Sequence, residues 1–378
     1  MDTGIGARSI AQVLEGHTGE RHLIALQDYP DPDAIASAVA HRALSRQYGI
    51  EADIAYAGAI SHHQNRALVV ALQVDLRHVS QVVQPDRYDG VVLLDNQGTT
   101  NQYLVRLLRR AGVPIVLAVD HHVRQPGLEA RNLIHQLSGA TSTIYAGYLQ
   151  HGVLKVALQS EQGRRLATAL LFGILTDTGW LKHGDAADLQ AGAFLMRWSD
   201  ADLLRRIQEE PVPWATSEIL RRALTTRQDY WGFTVAGVGY LRAEDRDAIP
   251  QAADFLLSVE GMTSSIVFGI VRDWRVREVL AGSLRTSDPQ LAPDRFLKTA
   301  FGGDFLGRSF GGGRAFAGAF EIPIGMSSKT AQESYQIARW LYYEYLVNQQ
   351  LLQAITATLR GRDPSRGLRA SFGMSSRK

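Results

Sequence analysis

The chain is 378 residues long, 45% hydrophobic and 21% charged, an ordinary globular composition with enough length for two domains. Its 40 Lys and Arg against 38 Asp and Glu leave a formal charge of +2, too weak a field to hold a long nucleic-acid duplex by bulk electrostatics. The lack of cysteine excludes disulfides, thiolate-bound zinc and thiol catalysis, and fits a reducing compartment.

The first half alternates strand-like and helix-like stretches. An apolar run, His22 to Leu26, leads through Tyr29-Pro30 into a helical stretch from Ala34 to Tyr48, and Ala52 to Tyr56 reads as the next strand. Asn65 is placed to cap a helix over Arg66 to Val74, because its side chain accepts from first-turn amides. Val91 to Leu94 and Ile115 to Val119 are further strands, with a helix over Tyr103 to Ala111 between them. This order predicts an α/β domain: a mainly parallel, doubly wound sheet whose functional groups collect at the C-terminal ends of the strands. Helices follow over Thr143 to Leu149, Leu166 to Leu175, Leu189 to Trp198 and Asp202 to Ile207, and Pro211, Val212, Pro213 and Trp214 mark a boundary. Beyond it come a helix (Glu218 to Thr225), strands (Trp231 to Val238, Ser264 to Val271, Glu278 to Leu284) and a long helix (Lys329 to Leu359), consistent with a smaller α+β domain. The expected division is a catalytic domain over 1–190, a helical linker over 191–215, a substrate-binding domain over 216–360 and a frayed basic tail over 361–378, with the active site in the cleft between the domains.

Acidic residues stand where hydrophobic elements stop. Asp31-Pro32-Asp33 precedes the first long helix, Asp95 follows Val91 to Leu94, Asp120-His121-His122 follows Val113 to Val119, and Thr176-Asp177-Thr178-Gly179 ends the Leu166 helix. Rigid elements that deliver carboxylates and imidazole to one sheet edge are how a fold assembles a divalent-metal centre. Asp31 and Asp33 can face one cavity from a turn, Asp95 is the natural bridging carboxylate, His121 supplies nitrogen and Asp177 oxygen; the mixed set suits Mn2+. Two ions ~3.5–4 Å apart hold and acidify a water, which as hydroxide attacks a phosphoester. His122 is then left to meet the phosphoryl group or protonate the leaving oxygen, and Asp120 to ligate or orient the pair.

At these residues the chain resembles the DHH phosphoesterase superfamily, which includes nanoRNases and 3′-phosphoadenosine-5′-phosphate phosphatases, RecJ-type exonucleases, cyclic-dinucleotide phosphodiesterases, family II pyrophosphatases and exopolyphosphatases. Asp31 to Ser37 is similar to the first motif, Asp95 to the second, Asp120 to His122 to the third, and Gly173 to Gly179 to the fourth. Ser283-Leu284-Arg285-Thr286, then Phe310 to Arg314 and Ala317-Gly318, resemble the DHH-associated C-terminal domain. The resemblance implies a phosphohydrolase using two Mn2+, or Mg2+, on a nucleotide or short single-stranded oligonucleotide, held by Arg285, Gly311, Gly312, Gly313 and Arg314. It departs from the family at Gln27, where a metal-binding histidine is usual three residues before Pro30, and at Arg314, where a histidine usually follows the glycines. Glutamine is the poorer metal ligand, and arginine pairs with phosphate but does no acid–base work near neutral pH. These departures motivate a second reading, a nucleotide-binding sensor on a partly degenerate scaffold; an inorganic pyro- or polyphosphatase is a third, against which the nucleotide-directed C-terminal segment stands.

Each residue also has a plainer explanation. Asp31 serves equally as a helix cap, Thr176 to Gly179 as a helix end, Arg285 as an exposed strand residue and Gly311 to Gly313 as a turn. Asp28 reads as a solvated or capping residue, His62-His63 as solvated or stacked, and the Trp214 region and the Leu341 to Leu359 stripe as core packing. Met1 to Gly6 has no basic-then-apolar leader pattern and no apolar run approaches ~20 residues, so a cytoplasmic protein without membrane contact, able to form a homodimer, is expected.

Overall fold

The computed structural model describes residues 10–82, 84–124, 130–272, 277–305, 307, 309–326 and 333–361. The chain divides into two compact units, Met1–Pro211 and Val212–Lys378. The first is built on six parallel strands: β1 (Arg21–Ala25), β2 (Glu51–Tyr56), β3 (Leu76–His78), β4 (Gly90–Leu94), β5 (Ile115–Asp120) and β6 (Leu133–His135). Their order across the sheet is β3-β2-β1-β4-β5-β6. The order reverses between β1 and β4, and in such a sheet that reversal opens a crevice at the C-terminal strand ends.

Side chains alternate across these central strands. Ile24, Val92 and Leu94 pack on one face against α1 (Pro32–Gln47) and two later helices, α4 (Thr141–Gln150) and α5 (Glu161–Asp177). Leu23, Val91 and Leu93 pack on the other against α3 (Gln102–Arg110), through Leu104 and Leu108. All of β4 is buried, as expected of a strand with helices on both sides. The short α2 (His63–Leu72) begins earlier than its sequence suggests: His62 is the cap, and Asn65 lies inside the first turn, its Nδ2 donating to the Pro30 carbonyl at 3.2 Å. The His62 and His63 rings stack at 4.5 Å.

Residues 191–211, set apart in sequence as a linker, carry the end of α6 (Ala186–Met196) and α7 (Ala201–Gln208). Their Leu195 and Ile207 join the first unit's core; α6 is apolar in overall composition, while α7 is amphipathic and turns its apolar face inward.

The second unit has a six-stranded sheet in the order β11-β12-β10-β9-β8-β7, comprising β7 (Gln228–Tyr230), β8 (Phe233–Arg242), β9 (Ser264–Arg272), β10 (Arg277–Thr286), β11 (Gly311–Gly313) and β12 (Ala317–Met326). Only β8 and β9 pair in parallel, which makes this the expected α+β unit. One face takes α8 (Trp214–Thr226) and α9 (Ala248–Leu257). The other takes α10 (Pro293–Phe301) and α11 (Glu333–Arg360), whose Val347, Leu351, Ala354 and Ile355 are the buried stripe. Leu341, read from sequence as core, is exposed, and Trp214 is 84% exposed at the first position of α8, where the helix buries Ile219 and Ala223 instead. The basic tail expected from 361 on lies, past Gly361, outside the described residues. Among the described residues no helix is long and apolar enough to cross a membrane.

Candidate metal centre

The predicted acidic residues of the first unit gather at the C-terminal ends of β1, β4 and β5. Asp31 caps α1: its Oδ1 accepts from Ala34 N at 2.9 Å, so the capping role anticipated for it is real. Its Oδ2 accepts from Gln27 Nε2 at 3.0 Å, which turns the amide nitrogen of Gln27, not its carbonyl, towards the carboxylate. Asp33, in the first turn of α1 and fully buried, accepts from Thr141 N and Ser142 N, both at 2.7 Å. Those amides open α4, whose own cap residue Ala140 has no side-chain oxygen, so an acid from a distant helix satisfies them and meets the positive end of the helix dipole. At Gly173 a Cβ would stand 2.6 Å from Ser142 Oγ and 3.1 Å from Asp33 Cα, so α5 can pass this point only as glycine.

Asp95 follows β4 with φ 56, a left-handed conformation that non-glycine residues adopt at a cost. Thr141 Oγ1 donates to its Oδ1 at 3.0 Å, so one threonine ties Asp33 and Asp95 together. Asp120 ends β5. Its Oδ1 accepts from the amides of His121 (3.0 Å) and His122 (3.3 Å) and contacts His122 Nδ1 at 2.7 Å, while its Oδ2 accepts from Gln97 Nε2 at 2.6 Å. Asp120 is therefore occupied in orienting the histidines. His121 Nδ1 meets the Ser138 carbonyl at 2.8 Å, which leaves Nε2 facing inward, 3.0 Å from Asp177 Oδ2 and 3.5 Å from Asp95 Oδ1. Asp177 reaches this point as the last residue of α5. His122, partly exposed, comes within 3.7 Å of Asp95 through Nδ1.

Burial raises the Asp95 carboxyl well above the usual range, and repulsion from Asp33, Asp31, Asp177 and Asp120 adds to it. Asp33 is raised by burial and by Asp177. Burial pushes His121 down, but the Asp177 and Asp33 carboxylates and the Ser138 carbonyl outweigh it and hold the imidazole at about 9. Such a set of mutually repelling acids lacks positive charge. Asp95, His121 and His122 form one group of donor atoms within 4.8 Å of one another, and Asp33, His121 and Asp177 form a second. His121 Nε2 is buried, 3.0 Å from Asp177 Oδ2 and 3.5 Å from Asp95 Oδ1, with Asp33 in the same group, so one imidazole faces more carboxylates than its single charge can neutralise. An imidazole nitrogen among excess carboxylates fits a divalent cation, and the oxygen-rich donor set with imidazole suits Mn2+.

Another donor group closes on itself. His17 Nδ1 and His22 Nε2 both meet Glu20 Oε2, at 2.8 and 2.9 Å, at the opposite, N-terminal end of β1.

Of the second unit's predicted residues, Arg285 lies on a strand, β10, as expected, while the glycine run is not a loop. Gly311 to Gly313 form β11, paired with β12, not a turn. A Cβ at Gly311 would stand 2.7 Å from Leu297 Cβ, and one at Gly313 would stand 2.7 Å from the Ala317 carbonyl, so close packing accounts for those two, whereas one at Gly312 would meet nothing nearer than Asp294 Oδ1 at 3.5 Å. Arg285 is held by Asp254, Nε to Oδ1 at 2.8 Å, and by Ser283 Oγ at 2.7 Å. Arg314 is exposed at the end of β11. Sequence reasoning missed Gln97, Ser138, Thr141 and Ser142, which act through hydrogen bonds to the acids and histidines; the one available signal was the hydroxyl-rich run Thr141-Ser142-Thr143 before an apolar helix.

The sequence profile of the DHH family, N-terminal domain, matches residues 22–174, which include Asp31, Asp33, Asp95 and the Asp120-His121-His122 triplet. An uncharacterized protein of Methanocaldococcus jannaschii is 35% identical over 300 residues, 79% of this chain and 57% of that protein. A probable manganese-dependent inorganic pyrophosphatase of Streptococcus mutans is 28% identical over 158 residues, 40% of this chain and 46% of its own. The chain thus spans about half the length of the curated relatives it matches. Among solved structures, an exopolyphosphatase-related protein from Bacteroides fragilis is similar in fold, with TM-score 0.64 and 14% identity over 93% of this chain and 97% of that one. With the motif residues of this profile converging at one sheet edge, residues 22–174 form an N-terminal domain of the DHH family.

Proposed function

We propose that the protein is a divalent-metal-dependent phosphoesterase that hydrolyses a nucleotide phosphomonoester or the diester of a short oligonucleotide. The observation that carries this reading is the convergence of Asp33, Asp95 and Asp177 around the buried His121 imidazole. Asp31, Asp33, Asp95, His121 and Asp177 would hold the ions, two Mn2+ or Mg2+. When bound, they supply Lewis-acid stabilisation of the phosphoryl oxygens and a water acidified towards neutral pH.

The rest falls to the chain's own groups. Asp120 holds His122 through Nδ1, so His122 Nε2 is the atom left to give a proton to the leaving oxygen. Arg314 and, once released from Asp254, Arg285 pair with substrate phosphate, since a guanidinium binds phosphate in a fork but does not transfer its protons. Gln27, with its amide nitrogen towards Asp31, orients that carboxylate.

A second reading, an inorganic pyro- or polyphosphatase, draws on the similarity to the pyrophosphatase of S. mutans. Purified protein with Mn2+, assayed on nanoRNA, 3′-phosphoadenosine 5′-phosphate, cyclic dinucleotides, pyrophosphate and polyphosphate, separates the two. Nucleotide turnover that Asp95→Ala nearly abolishes is the expected result. Turnover of pyrophosphate or polyphosphate alone moves the assignment to the second reading, and an inert metal-loaded protein sinks both.

A further inference from the structure

A fully buried acid outside the motifs, Asp188 on α6, is wired to the metal centre. Its two carboxylate oxygens accept from Gly139 N at 2.9 and 3.1 Å, from Thr143 Oγ1 at 2.6 Å and from Asp185 N at 2.8 Å. Gly139 follows Ser138, whose carbonyl accepts from His121 Nδ1 at 2.8 Å. Gly139 is pressed so tightly into this arrangement that a Cβ would stand 2.4 Å from Asp188 Oδ2 and 2.4 Å from Thr178 Cγ2. Thr178 directly follows Asp177, and Thr143 lies two residues beyond Thr141, which anchors Asp33 and Asp95. One carboxylate thus grips the peptide that orients the imidazole and the helix start that orients the acids.

We propose that Asp188 is a positioning residue for the metal centre: by clamping the Ser138–Gly139 peptide it holds the carbonyl that aims His121 Nε2 at the ions. A ring nitrogen's partner sets which nitrogen is presented to a metal, and removal of such a partner typically weakens metal binding by roughly 10–100-fold. The plainer role, completing the capping box of α6, shares Asp188 Oδ2, which accepts from both Asp185 N and Gly139 N, but the other half of that box is the Asp185 carboxylate, which accepts from Ala187 N and Asp188 N and touches nothing of the clamp. The two roles can therefore be tested apart.

The inference rests on the proposed role of His121 as a metal ligand. Mn2+ affinity by calorimetry and the nitrogen coupling of bound Mn2+ by pulsed electron paramagnetic resonance are measured on full-length wild type, Asp188→Asn, Asp185→Ala and His121→Ala. Asp188→Asn is expected to bind Mn2+ at least roughly tenfold more weakly, with reduced nitrogen coupling. Asp185→Ala is expected to lose thermal stability but keep wild-type affinity and coupling. Affinity for Asp188→Asn within about threefold of wild type overturns the proposal, as does an equal loss in Asp185→Ala. If His121→Ala leaves affinity and coupling intact, the reading of His121 has failed instead. Should Asp188→Asn not fold, Thr143→Val, which removes a single donor, decides the matter: a smaller loss of affinity and coupling supports the clamp, and no loss overturns it.

Discussion

The carboxylate of Asp120 is committed on both oxygens, to Gln97 on one side and to the His121 and His122 amides and His122 Nδ1 on the other. Burial would raise this acid, but the hydrogen bond and charge of His122 hold it below the usual range. It therefore stays an acceptor and fixes His122 with Nε2 outward. In Asp120→Asn, one donor must face an amide NH2 group, so the histidine loses its fixed orientation. Activity is expected to fall by roughly 10–100-fold with little change in thermal midpoint. A turnover number within threefold of wild type, measured on folded variant, contradicts this role. The triplet's existence was legible in the sequence, because an acid followed by two histidines after an apolar run is conspicuous. The separate roles of His121 and His122 were also anticipated, but whether Asp120 ligates or orients was not, because that depends on Gln97, which local sequence does not connect to it.

At the scale of elements, Asp53 on β2 joins the N-terminal edge of the sheet. Arg21 from β1, Arg77 from β3, Arg87 and the Tyr88 hydroxyl all donate to its Oδ2, at 2.8 to 3.0 Å. Burial pushes the carboxyl up, but the hydrogen bonds from Arg21, Tyr88 and Arg87 and the charge of Arg77 outweigh it and hold it at about 2. Because the folded value is depressed, this stabilisation is complete above the unfolded value near 4 and is lost as pH falls through 2. Allowing for screening at the half-exposed arginines, it is worth about 1–2 kcal/mol. Asp53→Asn should lower the urea-unfolding free energy by about that amount at neutral pH. The gap from wild type should narrow below pH ~4, and a gap independent of pH there would count against the ionic origin. Most helices and strands of the first unit were legible from periodicity, with ends shifted by a few residues, but in the second unit α9, α10 and β12 were not read. The short edge strands β3, β6, β7 and β11 were missed because three residues carry no periodic signal and pairing alone makes them strands.

For the whole molecule, every proposed metal ligand belongs to the first unit, within Met1–Pro211. Ion binding should therefore stabilise the folded chain by mass action, about 2.7 kcal/mol at a hundredfold excess over Kd. His121, held at about 9, is protonated at neutral pH without metal, so binding must displace a proton and affinity should rise with pH towards that value. The Mn2+-induced shift in thermal midpoint is expected to grow from about pH 6 to about pH 8.5 and to vanish in Asp95→Ala; a shift that shrinks with pH refutes the proton displacement. By itself the sequence determined the α/β class, the two-part organisation and the acids and histidines of the centre, because hydrophobic periodicity and residue chemistry are local properties. Tertiary structure decided what each oxygen does. Asp33 proved to cap a helix more than a hundred residues away, and Gly311 to Gly313 proved to be a packed strand. Asp188, unremarked in the sequence, came to grip the peptide behind His121. A carboxylate's role is set by the donors that surround it, and only folding brings those donors from distant parts of the chain.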